Sequence, residues 1–151
     1  MSVHWTEELA TGVEEIDEQH RELYAAVASL HDSMKQGRLD RIGGVVEYLA
    51  RYAADHFATE ERHMAERRYP RLAEHRALHE TFVGAFLVRK AAFQSNGFRP
   101  SLVVELSEWL ATWLGDHVRK VDGEMGRFFR SQAAGRSSIP PRPVDSFRSE
   151  R

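Results

Sequence analysis

The stretch Glu74–Phe82, "EHRALHETF", sets two histidines four residues apart inside a segment whose apolar residues otherwise recur with helical spacing. On an α-helix, residues i and i+4 lie one above the other on the same face. His75 and His79 therefore point the same way. Leu72, Leu78, Phe82 and Phe86 share much of that face, so both imidazoles are expected to be carried inward toward a core. What faces them there decides both the fold and the chemistry.

Composition narrows the choice. The 151 residues suit one domain with a single sizeable core. Charged residues make up 29% of the chain and nearly cancel, leaving a formal −2. That balance gives no basic field for nucleic acid. There is no cysteine, which excludes disulfides, zinc–thiolate sites, iron–sulfur clusters and thiol catalysis. Any metal must be held by nitrogen and oxygen. The start, "MSVHWTEELATG", lacks a basic region followed by an apolar one, and no long uninterrupted apolar run follows. The expectation is a soluble cytoplasmic protein with no membrane partner.

Breakers divide the chain into four helical stretches. Gly37, the Asn96-Gly97 pair, Pro70 and Pro100 mark the turns, and both prolines are expected as first residues of new helices. No useful stretch alternates with period two. The fold class is therefore all-α: an antiparallel up-down-up-down four-helix bundle preceded by an N-terminal arm. Residues 1–130 are expected to form the bundle. From Ser131, "SQAAGRSSIPPRPVDSFRSER" carries three prolines and five serines with few large apolar side chains. Residues 131–151 are therefore expected to be a disordered tail, a Pro-rich docking segment being the sharper alternative.

Each predicted helix has an apolar seam, and every seam carries histidine. The first runs Ile16, His20, Leu23, Val27, Leu30 and Met34. The second runs Ile42, Val45, Leu49, Tyr52, His56, Glu60 and then His63 or Met64. The third is Leu72, His75, His79, Phe82 and Phe86, and the fourth Leu102, Leu106, Trp109 or Leu110, Trp113, His117 and Val121. Heights along the helices also agree. His20 and His56 each lie about 18 residues, roughly 27 Å of helix, from the turn near Arg38. His79 and His117 are nearly level about the Asn96-Gly97 turn. His4 and His31 fall off the seams and are expected at the surface.

One histidine on a seam is usually a hydrogen-bonded core residue. Five at one height are not so explained, because each unpaired buried polar group costs several kcal/mol and Glu60 would need a positive partner. No lysine or arginine falls on the seams. A metal centre supplies the charge, and imidazole with carboxylate suits first-row transition metals. Five imidazoles exceed what one tetrahedral zinc accepts. A second carboxylate must come from the fourth helix, where "HVRKVD" offers Asp122, five residues after His117. Five residues of regular helix turn about 500°, leaving Asp122 roughly 140° from His117. Either the two approach from opposite flanks, or a π-type turn absorbs one residue.

"GVEEIDEQH", "HFATE", "HRALH" and "HVRKVD", in that order, resemble the metal-site pattern of the hemerythrin family, in particular its single-domain bacterial members. The resemblance runs from about Trp5 to Phe129. It implies a non-haem di-iron centre, two iron ions in all, one held by His75, His79 and His117 and the other by His20 and His56. Glu60 and Asp122 would bridge them. In the family, dioxygen binds reversibly at the iron with two histidines, an internal redox step. Leu23, Phe57 and Leu114 would line its pocket, with Trp113 and with Val118, where the family commonly has isoleucine. His63 forms a Glu-x-x-His pair with Glu60, but the ferritin-like oxidases need two such pairs. The expected function is oxygen storage, delivery or sensing rather than catalysis. The alternative is a di-iron reductase acting on peroxide or nitric oxide with an external electron donor.

Overall fold

A computed structural model describes residues 4–97 and 99–137. After a short 3₁₀ turn at Glu7–Leu9, the chain forms α1 (Glu14–Lys35), α2 (Leu39–Glu66), α3 (Leu72–Asn96) and α4 (Pro100–Asp116). A π-turn at His117–Asp122 then leads without a break into α5 (Gly123–Ser137), so α4, the π-turn and α5 make the fourth rod of the bundle. α1 packs on α2 and α4, and α3 packs on α2 and α4, which closes the antiparallel ring. No strand occurs among the described residues. No helix among the described residues is long and apolar enough to cross a membrane.

Local chemistry explains the ends. Gly37 and Gly97, at φ +67° and +75°, end their helices with positive φ, which a Cβ disfavours. Pro100 opens α4, where a missing N–H costs nothing. Pro70 does not open α3: it sits in the preceding turn with Arg71, and the helix starts at Leu72. The turn before it contains no glycine, so Arg68 itself adopts φ +55°.

The core divides in two along the bundle axis. The larger part gathers Leu23, Val27, Leu49, Phe57, Phe82, Phe86, Leu110 and Leu114 among others. A smaller one gathers Ile16, Met64, Tyr69, Met125 and Phe129. The layer of histidines lies between them. The expected seams hold in outline, though Met34, Leu72, Leu102 and Val121 are only half-buried and Val103 is buried on α4. On α2, Val46 and Ala53 are buried, while Val45 and Tyr52 are half-buried. On α3, Leu78 is 43% exposed, because it sits three residues rather than four from His75 and rotates off the narrow buried stripe. At the C-terminus, α5 continues past residue 130 to Ser137, and Gln132 caps the end of α2 by donating to the Arg67 carbonyl at 2.8 Å. The remainder of the expected tail lies outside the described residues.

The N-terminal arm is latched to this scaffold. Asp17, buried in the first turn of α1, accepts from the Thr11 amide at 2.7 Å, the Thr11 hydroxyl at 2.9 Å and the Gly12 amide at 3.3 Å. Thr11, fully buried, rests directly on Gly126 of α5, where a Cβ would lie 2.9 Å from the Thr11 Cα. Gly126→Ala is therefore expected to force the arm away and to destabilise the fold by about 1–3 kcal/mol. Gly44→Ala, inside α2 with open space around it, should stabilise by about 0.5–1 kcal/mol through helix propensity. Denaturant melts of the two variants check both signs.

Candidate metal centre

The buried layer is built from all four rods. α1 brings His20, α2 brings His56 and Glu60, α3 brings His75 and His79, and the π-turn brings His117 and Asp122. The i,i+4 pairs on α2 and α3 need only regular helix. His117 and Asp122 need the π-turn, whose wider winding carries residues five apart to the same side. Of the two routes open to Asp122, the chain takes this one. Gly123 follows at once, where an added Cβ would make only ordinary van der Waals contacts, with Arg127 and the Val118 carbonyl.

The seven side chains converge through their outer nitrogens and carboxylate oxygens. Glu60 Oε1 lies 2.9 Å from His20 Nε2 and 2.7 Å from His56 Nε2, while its Oε2 lies 3.2 Å from both His75 Nε2 and His79 Nε2. Asp122 divides in the same way. Its Oδ2 is 3.1 Å from His20 Nε2, and its Oδ1 is 3.0 Å from His75 Nε2 and 3.3 Å from His117 Nε2. Two compact donor groups result, Glu60-His75-His79-His117-Asp122 and His20-His56-Glu60-Asp122, each within 4.8 Å. They share the two carboxylates.

Aromatic packing fixes the rings. Phe57 stacks on His79 at 3.9 Å and 12°, and Trp113 stacks on His117 at 4.3 Å and 14°. Trp113 in turn packs on Phe82 at 4.0 Å. Leu23, Phe57, Trp113, Leu114 and Val118 all line an apolar cavity of about 20 Å³ that reaches His56, His117 and Asp122. Trp113 is half-buried and also forms part of a surface groove with Leu78, Asp116 and Lys120.

Burial and charge work against each other here. Glu60 and Asp122 are fully buried; burial alone would raise their acidities' midpoints, but the imidazoles around them hold both well below the usual carboxylate range. For His20, burial pushes down, and the Asp122 and Glu60 carboxylates override it, lifting it to about 10. The same contest leaves His75 at about 9, whereas burial wins at His79 and lowers it. Positive charge is thus demanded by two carboxylates with no lysine or arginine at hand. Glu60 Oε2, both Asp122 oxygens, and His75 Nε2 have no hydrogen-bond partner. Orphaned donor atoms that converge on shared points in a dry site are what a bound cation satisfies, so the residues fit a metal.

Residues 11–129 match the family model described as the hemerythrin HHE cation binding domain. The chain belongs to the hemerythrin family. It is 29% identical to the bacteriohemerythrin of Stenotrophomonas maltophilia over 87% of this chain and 89% of that one. It is 31% identical to the bacteriohemerythrin of Pseudomonas aeruginosa over 78% and 75%, and 25% identical to the myohemerythrin of Theromyzon tessulatum over 78% and 86%. A crystal structure of wild-type hemerythrin superposes with a TM-score of 0.74 at 30% identity, covering 82% of this chain and 95% of that one. Membership of the hemerythrin family implies non-haem iron.

The other histidines stay apart from the centre. His63 is buried but turns to α1, with Nε2 2.8 Å from Glu15 Oε2 and Nδ1 2.6 Å from an Arg67 guanidinium nitrogen. His4 is exposed and His31 half-buried rather than fully at the surface. Two contributors had no sequence signal of their own. The stacking of Phe57 on His79 joins different helices, and the Asp17 latch depends on how the arm folds back.

Replacing His75 by leucine should uncouple metal from stability. Metal-free protein should melt below wild type, since the protonated imidazole that offsets the buried Glu60 and Asp122 carboxylates is removed. The rise in melting temperature that ferrous iron gives wild type should be largely lost. Anaerobic melts with and without iron test this, and an undiminished rise would remove His75 from the site.

Proposed function

We propose that this chain holds two non-haem iron ions and binds dioxygen reversibly for storage, delivery or sensing. His75, His79 and His117 would hold one iron, His20 and His56 the other, and Glu60 and Asp122 would be shared between them. The observation that carries this reading is the division of each carboxylate. Glu60 turns one oxygen to His20 and His56 and the other to His75 and His79, and Asp122 splits likewise. A carboxylate spanning two cations has this arrangement. A single ion would draw the histidines into one group.

The two donor groups are unequal: five residues form one and four the other. The smaller group, with His20 and His56, is one donor short, and an exogenous ligand is expected there. Ferrous iron supplies the electrons that make dioxygen binding reversible. The chain supplies the setting. Leu23, Phe57, Leu114 and Val118 close the cavity with side chains that neither coordinate iron nor carry protons. At about 20 Å³, the space suits one small molecule and little more. Shutting out water and small anions slows the loss of electrons from the centre. Glu60 and Asp122, held as carboxylates, balance the charge of the ions, and the stacked Phe57 and Trp113 keep two imidazoles in their planes.

Purified protein should hold two irons per chain. Reduced without oxygen it should be nearly colourless, gain a visible absorption band with dioxygen, and lose it when the gas is removed. A single iron would sink the two-iron reading. Colour that forms once, with turnover sustained only by added reductant and peroxide or nitric oxide, would replace the carrier by a reductase.

Leu114→Ala probes the wall of the cavity. Truncation of a packed leucine costs on the order of 2–5 kcal/mol and leaves all seven donors in place. Iron content should match wild type, while autoxidation and azide entry become several-fold faster in stopped-flow traces. Equal rates at equal iron content would make Leu114 ordinary core.

A further inference from the structure

Gln19, half-buried on α1 beside His20, completes a chain of hydrogen bonds that ends on His56. Thr59 Oγ1 donates to the Asp55 carbonyl at 3.0 Å. Gln19 Nε2 lies 3.1 Å from the same Thr59 oxygen, and Gln19 Oε1 lies 2.8 Å from His56 Nδ1. A hydroxyl has one hydrogen. With that hydrogen committed to Asp55, Thr59 can only accept from Gln19, so the Gln19 NH₂ must face Thr59. The Gln19 carbonyl oxygen then faces His56, and His56 Nδ1 must be the donor. Its Nε2 is left to a cation, 2.7 Å from Glu60 Oε1.

Three of the other four histidines of the centre lack such a hold. His20, His75 and His79 have no hydrogen-bond partner at Nδ1, and the nearest carboxylate to His79 Nδ1, Glu61 Oε2, is 3.6 Å away. His56 belongs to the smaller donor group, the one with room for an exogenous ligand.

The geometry points to Gln19 as a positioning residue of the metal centre, which fixes the tautomer of His56 through the Asp55-Thr59-Gln19 relay and, being a neutral amide, limits the electron density His56 gives its metal. This rests on the two-iron reading above. The acceptor behind a ligating imidazole sets its basicity. A carboxylate there would pull the Nδ1 proton toward itself and make His56 a stronger donor, favouring ferric iron. An apolar side chain would do the reverse. The amide sits between them, tight enough to orient the ring and weak enough to leave the ferrous state accessible.

Two measurements test this. In iron-loaded protein, the midpoint potential should fall in Gln19→Glu, which is isosteric, and rise in Gln19→Leu, with iron content unchanged in both. In zinc-substituted protein, where no redox chemistry intervenes, solvent exchange of the His56 Nδ1 proton, followed by NMR, should be several-fold faster in Gln19→Leu and Thr59→Val. Thr59→Ser, which keeps the hydroxyl, should restore the wild-type rate. Should Gln19→Leu fail to fold, Gln19→Glu and the Thr59 pair decide. Unchanged potential in fully loaded Gln19→Glu, or equal exchange in Thr59→Val and wild type, would overturn the assignment. Iron analysis of wild type separates that failure from a failure of the two-iron reading.

Discussion

Two carboxylates buried without a fixed cation are the constraint on which this bundle turns. Glu60 and Asp122 sit where water does not reach, and no lysine or arginine approaches them. Burying such charges is tolerable only if positive charge is supplied on the spot. In the absence of metal, imidazoles take up protons to supply it, which is why His20 and His75 are raised despite deep burial. A metal does the same more completely. The lengths of the helices, the level at which each histidine sits and the extra residue in the fourth rod all serve to bring five imidazoles around two acids.

Much of this was legible in the sequence because helices are periodic. A histidine at i and i+4, such as His75 and His79, has one possible facing, and counting residues from each turn gives its height. Six of the seven converging residues follow from that arithmetic, while Asp122 and the grouping come with the hemerythrin resemblance. The spacing of His117 and Asp122 exposed a geometric misfit, and only the fold decided between its two remedies. What periodicity cannot reach is contact between elements. The Asp17 latch depends on a loop's path, and Gln19 reads as an exposed-face neighbour of His20 until α2 is placed beside it. Leu78 fails for a related reason: the buried stripe of α3 is narrower than a wheel drawn with equal weights on i+3 and i+4 suggests.

The apolar wall and the polar centre are mutually dependent. Phe57 and Trp113 cover His79 and His117 face to face, so the same rings that exclude water also hold the imidazole planes. Leu114 and Val118 flank His117 on the rod that carries it. Residues that would count as ordinary hydrophobic core elsewhere thus have a second constraint here, since a change of shape in the wall shifts a donor atom as well as a packing contact.

The donors lie on four different rods, and the first and last of them, His20 and Asp122, are separated by most of the described chain. No local segment can assemble the set. In folding, the complete centre is available only after the bundle has closed, so metal is captured late and reports on closure rather than guiding the first steps. In the folded protein, sub-global openings that carry one rod outward break at least one of the two groups. Opening of any rod therefore gives metal a route of escape, and amides in the least stable rod should trade hydrogen with solvent on the same clock as that route.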